Sequence, residues 1–220
     1  MIPTFDYHSF FSFDKRIFFF FLCLFNAGIL FINKEFILYD GLYFEALGEE
    51  LAYERIEKFL NDQKENAWIS FCIIPFFLLF KLFIIAVSIT IGLLLANYKL
   101  SFKKIFQIVL IAEAIFIIPK AIKTAYFLFA KSYTLKDIGS FDVWSVLALV
   151  GKENVPIWLI YPLSTLNLFE ILYWFIFAFG FALVLKRAYN EMFTLVISSY
   201  GVLMLVWIIF VVFLQVSFAK

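Results

Sequence analysis

The sequence predicts an all-α membrane protein: five transmembrane helices, the N-terminus cytoplasmic, and an amphipathic helix between the first and second spans. Three observations predict it. Of the 220 residues, 65% are hydrophobic, where a soluble domain carries about 45–50%. Only 16% are charged, against about 25% in ordinary globular chains. The apolar residues also gather into five runs separated by charged segments. The mean hydropathy of +0.97 is too high for a buried core alone and points to lipid as the solvent.

Residues 1–16 are short and aromatic, with Phe5, Tyr7, Phe10, Phe11 and Phe13. They read as an interfacial segment with rings at headgroup depth. The single transmembrane domain then occupies 17–220. Its first span runs about 17–32, roughly 24 Å at the helical rise, which is short for a ~30 Å hydrocarbon core. Snorkelling of Lys15 and Arg16 or local thinning would complete it. Phe25 precedes Ala27 and Gly28, a poor cleavage site, so the run reads as a retained helix and not a signal peptide. Residues 34–66 hold nine acidic and four basic side chains. Within them Ala52, Ile56, Phe59 and Leu60 form an apolar stripe at helical spacing.

The second span, about 67–97, exceeds what a bilayer needs and should tilt. A basic turn with Lys99, Lys103 and Lys104 leads to the third span, about 105–130. There Pro119 frees the carbonyl of Ile115 and should kink the helix. Residues 131–160 are a mixed polar loop punctuated by Trp144, Pro156 and Trp158, in which 143–150 or 157–161 could dip into the interface. The fourth span, about 165–185, ends at Lys186 and Arg187. The fifth covers about 192–213.

Orientation follows from charge. With five spans and the N-terminus inside, the inner segments hold Lys15, Arg16, Lys99, Lys103, Lys104, Lys186 and Arg187. Their acids are Asp6, Asp14 and Glu191. Basic residues on short loops set orientation, and these seven all fall on one side.

Catalytic signatures are missing. The one histidine, His8, cannot support a multi-histidine zinc site or a chain-internal dyad. Cys23 and Cys72 sit in separate apolar runs and read as small hydrophobes. The run from Gly48 to Arg55 shares paired glutamates and an arginine with CAAX-type intramembrane proteases. Its spacing is one residue off, and the later histidines of that chemistry are missing. No GxSxG, HExxH or phosphate-binding loop occurs, so no enzyme activity and no cofactor are expected. The net charge of +1 gives no basis for a nucleic-acid partner. The 33 phenylalanines read as codon bias, since Phe, like Ile, Lys, Asn and Tyr, has AT-rich codons.

Charges inside the spans remain as site candidates: Lys81, Glu113, Lys120, Lys123 and Glu170. Each costs about 2.5–3.5 kcal/mol at the bilayer centre on insertion scales, so each should face the bundle or a wet cavity. Ser70, Lys81, Ser88 and Gly92 share one face of the second span. Glu113, Lys120 and Thr124 share one on the third, and Asn167, Glu170 and Trp174 one on the fourth. Two ion pairs are predicted. Lys81 with Glu113 suffers a depth mismatch of about 9 Å, counted along the hairpin. Glu170 with Lys120 or Lys123 matches better, since Glu170 and Lys123 both lie roughly 8 Å from their span ends.

Several stretches resemble the bacterial branch of the Yip1 family. They are Ser101-Phe102-Lys103-Lys104-Ile105-Phe106 after the basic turn, the third-span run from Ala112 to Pro119, the fourth-span run from Leu166 to Trp174, and Phe179-Gly180-Phe181-Ala182. The resemblance covers roughly 15–215. It implies a five-span fold, no enzyme activity and, for a member of the bacterial branch, the bacterial cytoplasmic membrane as location; membrane lipids and other integral membrane proteins are the expected partners. The Asp-Leu-Tyr-Gly-Pro motif of the eukaryotic members does not occur, so their vesicle-traffic roles are not carried over. The expected function is a non-enzymatic scaffold or accessory subunit. The alternative is a small transporter or lipid-handling protein using Lys81, Glu113 and Glu170.

Overall fold

The computed structural model describes residues 14–218. Five helical rods are long and apolar enough to cross a membrane: Lys15–Ile37, Ala67–Leu95, Phe102–Phe129, Leu168–Leu185 and Tyr189–Phe218. The chain is thus a multi-pass helical membrane protein. Among the described residues the only β-pairing is an isolated bridge between Ser145 and Asn167. The interfacial segment predicted over 1–16 lies outside the described residues, apart from its last three.

Asp14 opens the first span by accepting a hydrogen bond from the Arg16 backbone N–H at 2.8 Å. The helix continues past Ile32, where the apolar run ends, through a π-helical turn over Asn33–Ile37. It therefore has 23 residues, roughly 35 Å, and needs no thinning to span. The predicted end at residue 32 is corrected. Polar residues extend this helix because neighbouring rods supply their partners: Thr124 Oγ1 donates to Asn33 Oδ1 at 3.0 Å, and Lys34 Nζ to Ser70 Oγ at 3.3 Å.

Two helices, Asp40–Leu47 and Tyr53–Glu65, connect the first span to the second. Of the apolar stripe predicted there, Ile56 and Leu60 are buried, while Ala52 and Phe59 stay exposed. Lys64 and Asp40 join the two helices at 2.7 Å. Both side chains are well exposed, so the bridge contributes little.

The second span runs unbroken through Pro75. Its turn into the third uses Asn97 at φ 59°, a left-handed position that asparagine tolerates better than most residues. The Tyr98 N–H closes this turn on the Leu93 carbonyl at 2.8 Å. The third span is two helices, Phe102–Glu113 and Ile117–Phe129, joined by a 3₁₀ turn at Ala114–Phe116. Pro119 has no N–H for the Ile115 carbonyl, and the helix tightens in the turn just before the proline.

Asn167 caps the fourth span, accepting from the Glu170 N–H at 2.9 Å. Lys186, at φ 51°, ends it in a left-handed cap. The preceding loop holds three short helices, Leu135–Ser140, Val146–Val150 and Ile157–Thr165. It is tied to the head of the fourth span by Val146 N–H to Leu166 O at 2.9 Å and Leu168 N–H to Trp144 O at 3.1 Å. Trp144 also takes a left-handed backbone. Its ring stacks on Phe169 at 5.5 Å and 8°, which helps offset that strain. The fifth span starts three residues earlier than predicted, carries a π-helical turn at Ile197–Gly201 and reaches Phe218.

One core joins the second to fifth spans through Leu82, Ile89, Ile108, Phe177, Phe181 and Val196. Two small residues set the closest crossings. A Cβ on Gly180 would stand 2.7 Å from Ile108 Cγ2, and one on Gly92 would stand 2.5 Å from Ser199 Cβ. The first span is peripheral, with 6% of its apolar window buried.

Candidate functional site: a polar network inside the membrane span

Two carboxylates are buried among the spans, Glu113 at 5% exposure and Glu170 at 7%. A buried carboxylate must be paired or hydrogen-bonded, and each of these is, in a different way.

Glu113 closes the first helical half of the third span. Its Oε1 lies 2.6 Å from Lys81 Nζ of the second span, and its Oε2 accepts from the Tyr173 hydroxyl of the fourth at 3.2 Å. The Lys81 ammonium also sits 4.4 Å from the centre of the Phe116 ring, within range of a cation–π attraction. Phe116 belongs to the 3₁₀ turn, so the break before Pro119 presents this ring to the lysine. Tilt and the reach of two long side chains absorb the depth mismatch counted along the sequence.

Glu170 sits in the first turn of the fourth span. Its Oε1 accepts from the Tyr200 hydroxyl at 2.7 Å and from Trp174 Nε1 at 3.0 Å. The predicted pair with Lys120 or Lys123 does not form. Lys120 turns instead to the first span, where its Nζ donates to Asn26 Oδ1 at 2.6 Å. Lys123 faces the loop, within electrostatic reach of Asp142. Equal depth did not bring these charges together because they point in different directions around their helix axes. The Asp142 carboxyl, outside the spans, is pushed above its ordinary value by burial, against the pull of Lys123 and Lys152.

The two carboxylate clusters meet through aromatic rings. Tyr173 and Tyr200 pack edge to face at 5.4 Å. Four spans thus contribute to one continuous assembly of Lys81, Glu113, Phe116, Tyr173, Glu170, Trp174 and Tyr200. The predicted polar stripe of the second span is shared among three neighbours. Ser70 meets the first span, Lys81 the third, and Ser88 donates to the Ser199 carbonyl of the fifth at 3.1 Å. Ser199 lies in the π-helical turn, where a carbonyl can be released from the regular ladder.

Sequence reasoning missed Asn26, Asn33, Tyr173 and Tyr200. The two asparagines carried a signal, being seven residues, or two helical turns, apart in a run otherwise apolar. Tyr173 lies three residues after Glu170 on the same side of the fourth span. Nothing in the sequence marked Tyr200. Among the described residues no group of three His, Cys, Asp or Glu side chains could hold a metal ion.

The fold and this network define a multi-pass membrane protein whose helices are joined by buried polar contacts. Compared with protein-family models, with curated proteins and with solved structures, the chain matches none.

Proposed function

We propose that the chain is a non-enzymatic scaffold or accessory subunit for other integral membrane proteins, built on the five-span fold implied by its resemblance to the bacterial Yip1 family. In this reading it sits in a bacterial cytoplasmic membrane, with the N-terminus and the 96–101 and 186–188 turns inside. The helices between the first two spans lie outside, against the membrane surface or the other rods. The observation that carries the reading is the closure of the carboxylate network. Glu113 and Glu170 spend their hydrogen bonds on Lys81, Tyr173, Tyr200 and Trp174, and these bonds tie the second, third, fourth and fifth spans to one another. Interhelical polar contacts of this kind hold spans together where lipid removes the hydrophobic driving force.

The transporter alternative requires a wet cavity lined by Lys81, Glu113 and Glu170. Two lateral grooves occur elsewhere. One, about 510 Å³, lies between the second and fifth spans around Val87, Ile91 and Val202. The other, about 670 Å³, lies at the end of the third span around Tyr126 and Phe129. Neither includes those three charges.

A tagged copy drawn from native membrane in mild detergent should run as a complex of fixed stoichiometry with another membrane protein. A lone chain throughout would remove the scaffold reading. In a background without Cys23 and Cys72, Glu50→Cys should react with an impermeant thiol reagent on intact cells, and Ser101→Cys only after permeabilisation. The reverse pattern would invert the topology.

A further inference from the structure

Lys120 is the charge that the network leaves open. It is exposed, yet it lies deep within the span Phe102–Phe129. Its ammonium is held by Asn26, the middle residue of the 23-residue first span. Lys120 itself lies nine residues before Phe129, the end of its own span, about 13 Å at the helical rise. A lysine side chain reaches roughly 6 Å, so snorkelling does not bring this ammonium to the headgroups.

Among the described residues no carboxylate lies within salt-bridge distance of Lys120; its one hydrogen-bond partner, Asn26 Oδ1, is neutral. The charges that act on it through space are Lys81 and Glu113. They oppose each other, and Glu113 is already bound to Lys81. A cation at this depth facing lipid is costly unless an anion meets it.

Resting on the scaffold reading, we propose that Lys120 and Asn26 form a docking site, on the edge between the first and third spans, for a partner's transmembrane helix that carries an aspartate or glutamate at mid-depth. The partner's carboxylate seats on the Lys120 ammonium, and Asn26 orients that ammonium. The first span is peripheral, and Lys120 beside it is exposed. A second copy of the chain does not supply the anion. Its buried carboxylates, Glu113 and Glu170, are engaged within the bundle, while Glu35 and Glu191 lie near span ends. A lipid phosphate lies at the level of the span ends, beyond the lysine's reach.

The test uses the full chain, donor-labelled and reconstituted in phosphatidylcholine vesicles. Acceptor-labelled leucine–alanine transmembrane peptides carry a single central Asp or Asn. Energy transfer should show the Asp peptide associating about tenfold more tightly than the Asn peptide. Lys120→Arg should keep the difference and Lys120→Met abolish it. The Asp–Asn comparison on the unaltered chain stands even if Lys120→Met fails to fold. Equal binding of the two peptides overturns the proposal, as does a difference that survives in a folded Lys120→Met. A difference seen only when phosphatidylglycerol is present also overturns it, in favour of a lipid headgroup. If the native complex persists while the peptide preference is absent, the docking site falls and the scaffold reading stands. If the preference appears and no native complex is found, the reverse holds.

Discussion

Removing the two members of the Lys81–Glu113 pair should have unequal effects. The Lys81 side chain is 35% exposed and that of Glu113 is 5%. Lys81→Met strands a carboxylate inside the bundle with only the Tyr173 hydroxyl to solvate it. Breaking a buried pair in this way costs about 3–5 kcal/mol in soluble proteins. The partial exposure of the lysine reduces this to about 2–3 kcal/mol. Glu113→Gln is milder, about 1–2 kcal/mol. The amide oxygen can still accept a hydrogen bond, and the ammonium keeps the Phe116 face. The double variant should cost less than the two singles together, with a coupling of about 1.5 kcal/mol, near the upper end for interhelical polar contacts in membranes. The measurement is reversible unfolding in bicelles by titrated dodecyl sulfate, followed by tryptophan fluorescence. Single-variant losses that add within about 0.5 kcal/mol would show that the pair is not coupled. A larger loss for Glu113→Gln than for Lys81→Met would refute the burial argument.

The other carboxylate should behave differently. Glu170→Gln retains an acceptor for the Tyr200 and Trp174 donors and should lower detergent thermal stability little. Glu170→Leu leaves both donors unpaired, at about 2–4 kcal/mol. Equal damage from Gln and Leu would mean that the charge itself is used, as by a ligand, and Lys123→Met should add to either without coupling. At the crossing of the second and fifth spans, Gly92→Ala should destabilise by about 1–3 kcal/mol, because the methyl would crowd the Ser199 side chain. Ser199→Gly in the same chain should recover part of that loss on the same assay, and no recovery would place the strain elsewhere.

The two predicted ion pairs show where sequence reasoning reaches and where it stops. Counting residues from a span end gives depth, and by depth the Glu170 pair looked better than the Lys81 pair. The structure forms the second and not the first. Depth carries no information on rotation about the helix axis, and rotation decides which neighbour a side chain meets. Lys120 and Lys123 lie on one helix three residues apart, yet one turns to Asn26 and the other toward Asp142. The first span outran its apolar stretch for a related reason. Asn33 and Lys34 look like a stop signal until Thr124 and Ser70 are known to face them.

The sequence by itself determined the class and the five spans, because lipid imposes a length and a composition on any helix that crosses it. It also marked the region of the 3₁₀ turn before Pro119, though Pro75 leaves the second span unbroken. Only the tertiary structure decided that Tyr173 and Tyr200 solvate the carboxylates, that the second-span stripe is divided among three neighbours, and that Lys120 is left facing outward. Those outcomes depend on helix rotation, tilt and crossing distance. These are set by packing among residues far apart in the chain, and no local pattern encodes them.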